Sequence, residues 1–299
     1  GIGKAPFPGR PPCRMRCRDN GRLFSRQFLI MMRLTNSVSG GTILKYCLLS
    51  RGDELSDRLT EKFRELAALR GITEDEEEPD IVVTIGGDGT LLQAFHKFLH
   101  RLEEVSFVGV HTGHLGFFAD WKANELDLLV SNMAEHAENR HALTVRYPVV
   151  EIVLKSRGGE TVWHALNEFT VKGNNTMLVA ELHINDELFE MFRGDGICVA
   201  APMGSTAYNK SLGGAIIHPN LESIQVSEIA SINNRVYRTL GSSLALPRHH
   251  HCDIIPRAGQ KLLLSRDHLL EEAEDIESIA CRVADKKVGF IRYRPFPFW

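Results

Sequence analysis

Apolar residues in the first part of the chain alternate between short unbroken runs and helical spacing. Residues 42–50 read as a strand, and 53–69 as an amphipathic helix with Leu55, Leu59, Phe63 and Leu66 turned inward. Residues 81–85 are β-branched and continuously apolar, the pattern of a strand buried on both faces. Leu91, Leu92, Phe95, Phe98, Leu99 and Leu102 then recur at helical spacing. A third strand is predicted over 105–110 and a further helix over 124–136. Strand and helix in alternation predict a parallel sheet.

The texture changes near residue 142. Strand-like runs at 143–154, 161–171, 177–184, 197–200, 243–246 and 261–265 follow one another without comparable helices. The expected fold class is therefore an α/β N-terminal domain with a parallel sheet, followed by a mostly β C-terminal domain. The expected boundaries are 1–43 for an extension, 44–141 for the first domain and 142–287 for the second. Residues 288–299 carry a last strand, 288–292, expected to return to the first domain.

Composition narrows the function classes. The 299 residues carry a net charge of −3, but residues 1–44 hold eight Lys/Arg and one acidic residue, Asp19, leaving 27 basic against 37 acidic residues beyond them. An acidic body argues against a nucleic-acid footprint on the folded part. The basic, proline-containing head has the composition of a nucleic-acid arm or an Arg-rich transit peptide, and the preferred expectation is a disordered or non-native extension without a role in the chemistry. No apolar run approaches the roughly 18 residues of a membrane helix, so no membrane partner is expected. Cys13, Cys17, Cys47, Cys198, Cys252 and Cys281 are scattered without a C-x-x-C pair, which points to reduced thiols and a cytoplasmic address. His249-His-His-Cys252 is the one run rich in zinc-type ligands. Adjacent strand residues face opposite ways and cannot all converge on one ion, so no metal ligand is assigned.

The densest chemistry lies at Gly86-Gly-Asp-Gly-Thr90, where the buried strand ends and a helix begins. Glycines there let the backbone turn and bring bare N–H groups against phosphate oxygens, and Asp88 is left pointing at the same place. An Asp beside Gly before a helix is also a common turn or cap. Two nucleotide fingerprints are missing. Leu92 stands where a dinucleotide G-x-G-x-x-G needs its third glycine, and Asn209 where a P-loop needs the glycine before Lys210.

Four more segments carry polar residues that plain strands and loops do not need. The loop 111–118 holds glycines and Phe117-Phe118, whose rings can wall a flat ligand or simply pack in the core. Asn167-Glu168 puts an amide and a carboxylate side by side in a strand-like run, where both cannot face a core. Arg193-Gly-Asp-Gly196 is a second glycine-flanked aspartate, or alternatively a hairpin turn. Residues 202–214 gather Thr206, Ala207, Tyr208, Asn209, Lys210 and Ser211, a set suited to a base and a ribose.

Gly-Gly-Asp-Gly-Thr resembles the kinase superfamily that contains NAD kinases, lipid kinases and 6-phosphofructokinases. Together with Asn-Glu, Gly-Asp-Gly and Gly-Ser-Thr-Ala-Tyr, in this order and spacing, it resembles the NAD kinase family, and 111–117, 212–219, 230–237 and 295–299 are similar to its Gram-positive bacterial branch. The resemblance covers about 44–299 and implies transfer of the γ-phosphoryl group of ATP, with Mg²⁺, to the 2′-hydroxyl of the adenosine ribose of NAD. It implies Asp88 as the catalytic base with Gly87, Gly89 and Thr90 at the phosphates and Phe117 nearby. It implies Asn167 and Glu168 at the ribose, Arg193 and Asp195 toward the nicotinamide, and 206–211 around the adenine with Tyr208 as its wall. It implies a homotetramer in which Ala230, Tyr237 and His268 act across an interface. A lipid kinase of the same superfamily and a non-catalytic dinucleotide sensor are the alternative readings, and polyphosphate is left open as an alternative donor.

Overall fold

The computed structural model describes residues 43–113, 116–139 and 143–294. The extension expected over 1–43, all but its last residue, lies outside them, as do His114, Leu115 and the terminal 295–299.

A parallel core forms where the apolar runs were read. Strands Lys45–Ser50, Ile81–Gly86 and Ser106–His111 lie side by side and parallel, with Ala119–Lys122 parallel to the last. Every residue of Ile81–Gly86 is buried, which explains the unbroken β-branched run. Helix Glu54–Leu69 begins at Asp53, whose carboxylate accepts the Ser56 N–H in a capping box. It buries Leu59, Phe63 and Ala67, whereas Leu55 is exposed, contrary to its expected inward place. Helix Asp88–Lys97 buries Leu91, Ala94 and Phe95, and Leu126–Asn139 follows a single helical turn.

The remaining chain is almost all strand. The 17-residue strand Ile276–Arg292 runs antiparallel to Leu143–Ser156 and, near its end, parallel to Ser106–His111 through Gly289 and Phe290. The parallel strands thereby belong to one 11-stranded mixed sheet, whose far edge is the hairpin Leu178–Ile184/Glu187–Gly194. A second sheet of six antiparallel strands has Glu168–Gly173 and Gly196–Ala200 at its centre. This is the expected combination of an α/β part and a mostly β part.

One local expectation changes, and one alternative reading falls away. The run read as one strand over 161–171 is two, Gly159–Ala165 and Glu168–Gly173, broken at Leu166-Asn167. Asp195-Gly196 is not a hairpin: Glu187–Gly194 belongs to the large sheet and Gly196–Ala200 to the small one, so Asp195 sits where the chain crosses between sheets. One buried cluster contains Leu91 and Phe95 of the helix together with Leu166 and Met203 of the β part, which fixes the helix bearing Asp88 against both.

Candidate active site

Asp88 occupies the first turn of its helix, where exposed N–H groups and the helix dipole favour negative charge. Both carboxylate oxygens are held by the loop from the next strand: Phe117 N–H donates to Oδ2 and Phe118 N–H to Oδ1, each at 3.2 Å. A carboxylate offers about four lone-pair directions, and these two bonds are the ones made to it among the described residues. The loop reaches this close because residue 116 is glycine; a Cβ there would stand 2.2 Å from Asp88 Oδ1. Gly86 is likewise required by packing, since a Cβ would meet Thr90 Oγ1 at 2.3 Å. Gly87 and Gly89 differ. Nothing lies within 4 Å of a Cβ built on either, and Gly87 has an ordinary φ of −114°. Among the described residues nothing demands glycine at these two positions, and their bare backbone faces open space.

Asn167 and Glu168 are organised by a residue that the sequence did not announce. Asp267, its side chain fully buried, accepts the N–H groups of Leu166 at 3.0 Å, Asn167 at 2.7 Å and Glu168 at 3.3 Å. It takes the place of a strand partner, which is why the ladder breaks at Leu166-Asn167. Its Oδ2 also meets His96 Nε2 at 2.8 Å, and His96 lies two turns along the helix that starts at Asp88, about 12 Å away at 1.5 Å per residue. One carboxylate thus ties the Asn-Glu pair to the Asp88 helix. Asp267 has φ 52° in a tight turn with His268, whose ring packs edge-on to His96 at 5.4 Å. The only local signal was an Asp in a turn; its backbone partners lie about a hundred residues earlier and His96 171 residues earlier.

The pair so held presents unused acceptors. Asn167 Oδ1 and Glu168 Oε2 are buried without a hydrogen-bond partner among the described residues. Burial, aided by the nearby Asp267 charge, lifts the Glu168 carboxyl to about 7. The turn Met203–Thr206 closes over them, its Gly204 so near that a Cβ would lie 2.0 Å from the Asn167 carbonyl oxygen.

The other expected residues divide into two groups. Tyr208 stands under Lys172, whose Nζ is 5.2 Å from the ring centroid and 3.5 Å from the hydroxyl. Ser211 Oγ donates to the Tyr208 carbonyl, Lys210 is exposed, and Thr206 and Ala207 are half-buried. Asn209 instead turns inward, fully buried, its Oδ1 accepting from Ser227 at 2.6 Å. The second group gathers at the sheet crossing. The Arg193 guanidinium lies 4.2 Å over the Tyr237 ring, Asp195 is exposed, and Ala230, at φ 46°, approaches Gly194 so closely that a Cβ on the glycine would stand 2.9 Å from its carbonyl oxygen.

Two family models match this architecture, the ATP-NAD kinase N-terminal domain over residues 49–138 and the ATP-NAD kinase C-terminal domain over 166–236, together more than half of the chain. The chain belongs to the ATP-NAD kinase family. NAD kinase 1 of Bacillus anthracis is 51% identical over 258 residues, covering 86% of this chain and 96% of that protein. NAD kinase 1 of Halalkalibacterium halodurans is 50% identical over 258 residues with the same coverage. Two solved structures share the fold of this NAD kinase family member. Yeast NADH kinase complexed with NADH has a TM-score of 0.70 at 20% identity, over 83% of this chain and 82% of that one. An NAD kinase from Archaeoglobus fulgidus in complex with ATP has a TM-score of 0.66 at 21% identity, over 83% and 94%.

Proposed function

We propose that this chain is an NAD kinase that transfers the γ-phosphoryl group of ATP to the 2′-hydroxyl of the adenosine ribose of NAD, with Asp88 as general base. The observation that carries the reading is the Asp88 carboxylate, clamped by two N–H groups beside glycines that open onto free space. In this reading the Gly87 and Gly89 backbone and the helix N-terminus, with Thr90 buried behind them, receive phosphate oxygens. Asn167 Oδ1 and Glu168 Oε2 accept the ribose hydroxyls, which would satisfy two buried orphans. Tyr208 walls the adenine, Arg193 and Asp195 lie toward the nicotinamide, and Asn209 holds the Tyr208 turn from within. Asp88 uses a free lone pair to orient the 2′-hydroxyl and takes its proton as oxygen bonds to phosphorus; the bond from the γ-phosphorus to the β-γ bridging oxygen breaks and ADP leaves. Phosphoryl transfer relies mostly on positioning and charge neutralisation.

A divalent cation, proposed as Mg²⁺, accompanies ATP. Mg²⁺ takes oxygen ligands, usually substrate phosphates with one or two carboxylates and water. The donor set fits that pattern: Asp88 lies at the phosphate end and, among the described residues, belongs to no group of three ligating side chains. When bound, the cation neutralises phosphate charge.

A homotetramer and a cytoplasmic address complete the proposal. Glu187–Gly194 is the edge strand of the large sheet and exposes Leu188, Phe189 and Met191, while Val236, Tyr237 and Leu240 are exposed beyond the sheet crossing. Apolar edges of this kind favour burial against another copy. No helix among the described residues is long and apolar enough to cross a membrane.

The test mixes purified protein with Mg²⁺, ATP and NAD and reads product through an NADP-specific dehydrogenase. NADP formed in step with ADP is the expected result. Well-folded protein that binds NAD yet yields no NADP overturns the reading in favour of a dinucleotide sensor.

A further inference from the structure

Strand alternation separates the histidines of the 249–251 run, and Cys252 is fully buried while His251 is not. The fold gives His251 other neighbours. Asp253 lies two residues along the strand His251–Pro256 and shares its face. The turn of the adjacent hairpin reaches the same place, with Asn185 and Asp186 both left-handed at φ 53° and 69°. That turn is fastened to His251 by Asn185 N–H donating to the His251 carbonyl and His251 N–H donating to Asn185 Oδ1, both at 3.2 Å. His251 Nε2 therefore stands 3.4 Å from Asp186 Oδ1 and 3.3 Å from Asp253 Oδ2, and one ligand atom from each residue lies within 4.8 Å of the others.

The His251–Asp186 contact is a long hydrogen bond and the His251–Asp253 contact a long ion pair, and both lengths also suit a shared ion. A charge-assisted N–H···O bond closes to about 2.7–2.9 Å, and His183 with Glu181, close by, does so at 2.9 Å. Ligand atoms around a tetrahedral ion with bonds of ~2.0–2.1 Å stand roughly 3.3–3.4 Å apart. His251 keeps the second spacing toward both carboxylates.

We propose that Asp186, His251 and Asp253 bind one divalent transition-metal ion of the zinc class, with a fourth position for water. An imidazole nitrogen among the ligands favours such an ion over Mg²⁺ or Ca²⁺, which prefer oxygen. The ion is distinct from the one that accompanies ATP, and the site uses none of the residues assigned to the phosphoryl transfer. It clamps the tip of the 178–194 hairpin to the neighbouring strand. Two of the ligands lie 65 residues apart, so adjacency in the 249–252 run could not reveal the set.

The experiment titrates Zn²⁺ into the metal-free full-length chain by calorimetry without nucleotide, and repeats it with Co²⁺, whose visible absorption reports four-coordinate geometry. One equivalent is expected to bind, at least tenfold more weakly in His251→Ala and Asp186→Asn and unchanged in a His249→Ala/His250→Ala double variant. Asn tolerates the left-handed turn, so Asp186→Asn reads the ligand without unfolding the hairpin. Unchanged affinity in both single variants, loss of binding in the double variant, or no stoichiometric uptake by the parent chain overturns the proposal.

Discussion

At the scale of single residues, the glycines around Asp88 do two different jobs that the sequence displays identically. Gly116 makes room for the Asp88 carboxylate, whereas Gly87 makes room for nothing among the described residues. Gly116→Ala pushes against the movable end of a side chain, so stability should fall by less than about 1 kcal/mol while kcat drops at least tenfold. Gly87→Ala should also fold, because its methyl meets no atom of the described residues, yet raise KM for ATP at least tenfold by occupying the approach to the backbone. Urea midpoints and steady-state kinetics on the two variants check both statements. Glu168 carries the pH-dependent term. Its carboxyl is lifted from the usual 4.5 to about 7 in the fold, so the folded state holds a proton that the unfolded chain has released between those values. The stabilisation is full below about 4.5 and lost as pH rises through 7. Glu168→Gln removes the titration, so this variant should gain stability relative to the parent between pH 5 and pH 8, by on the order of 1–3 kcal/mol. Denaturant melts at the two pH values measure it, and an equal difference at both would contradict the assignment.

At the scale of elements, what was legible follows from local pattern. The strand at 81–86, the helix after it and the parallel neighbours are each written in a run of consecutive residues, and burial on both faces leaves such a run little choice. The break at Leu166-Asn167 was not legible, because the atom that ends the ladder belongs to Asp267. The Asp195 crossing escaped for a related reason: Asp-Gly specifies a turn, but which sheet each flanking strand joins is settled by distant partners. His96, read only as part of a helix, is one end of the link between the Asp88 helix and the Asn-Glu pair. Asp267→Asn leaves one acceptor oxygen where two served four partners, so stability should drop by about 2–4 kcal/mol. KM for NAD should rise more than KM for ATP, since Asn167 and Glu168 lose their register while the glycine loop does not. Equal changes in both constants would show that Asp267 merely stabilises the fold.

At the scale of the whole molecule, a shared buried cluster holds the α/β part and the β part in register; in the proposed reading the first supplies the base and the phosphate cradle and the second the acceptors for a ribose. The exposed apolar edge at Leu188, Phe189 and Met191 belongs to the same argument, because Arg193 lies at the end of that strand. Light scattering on the parent chain should give a tetramer, and Phe189→Asp should yield smaller species with lower activity; a monomeric, fully active parent would remove the interface from the mechanism. The central claim concerns Asp88, and one comparison tests it most directly: kcat for NADP formation and calorimetric NAD affinity, measured on the parent and on Asp88→Asn. With Asp88 as the base, NAD affinity stays within about threefold and kcat falls by about 10²- to 10⁴-fold, the usual worth of a positioned base. An Asp88→Asn variant with parental kcat would contradict it.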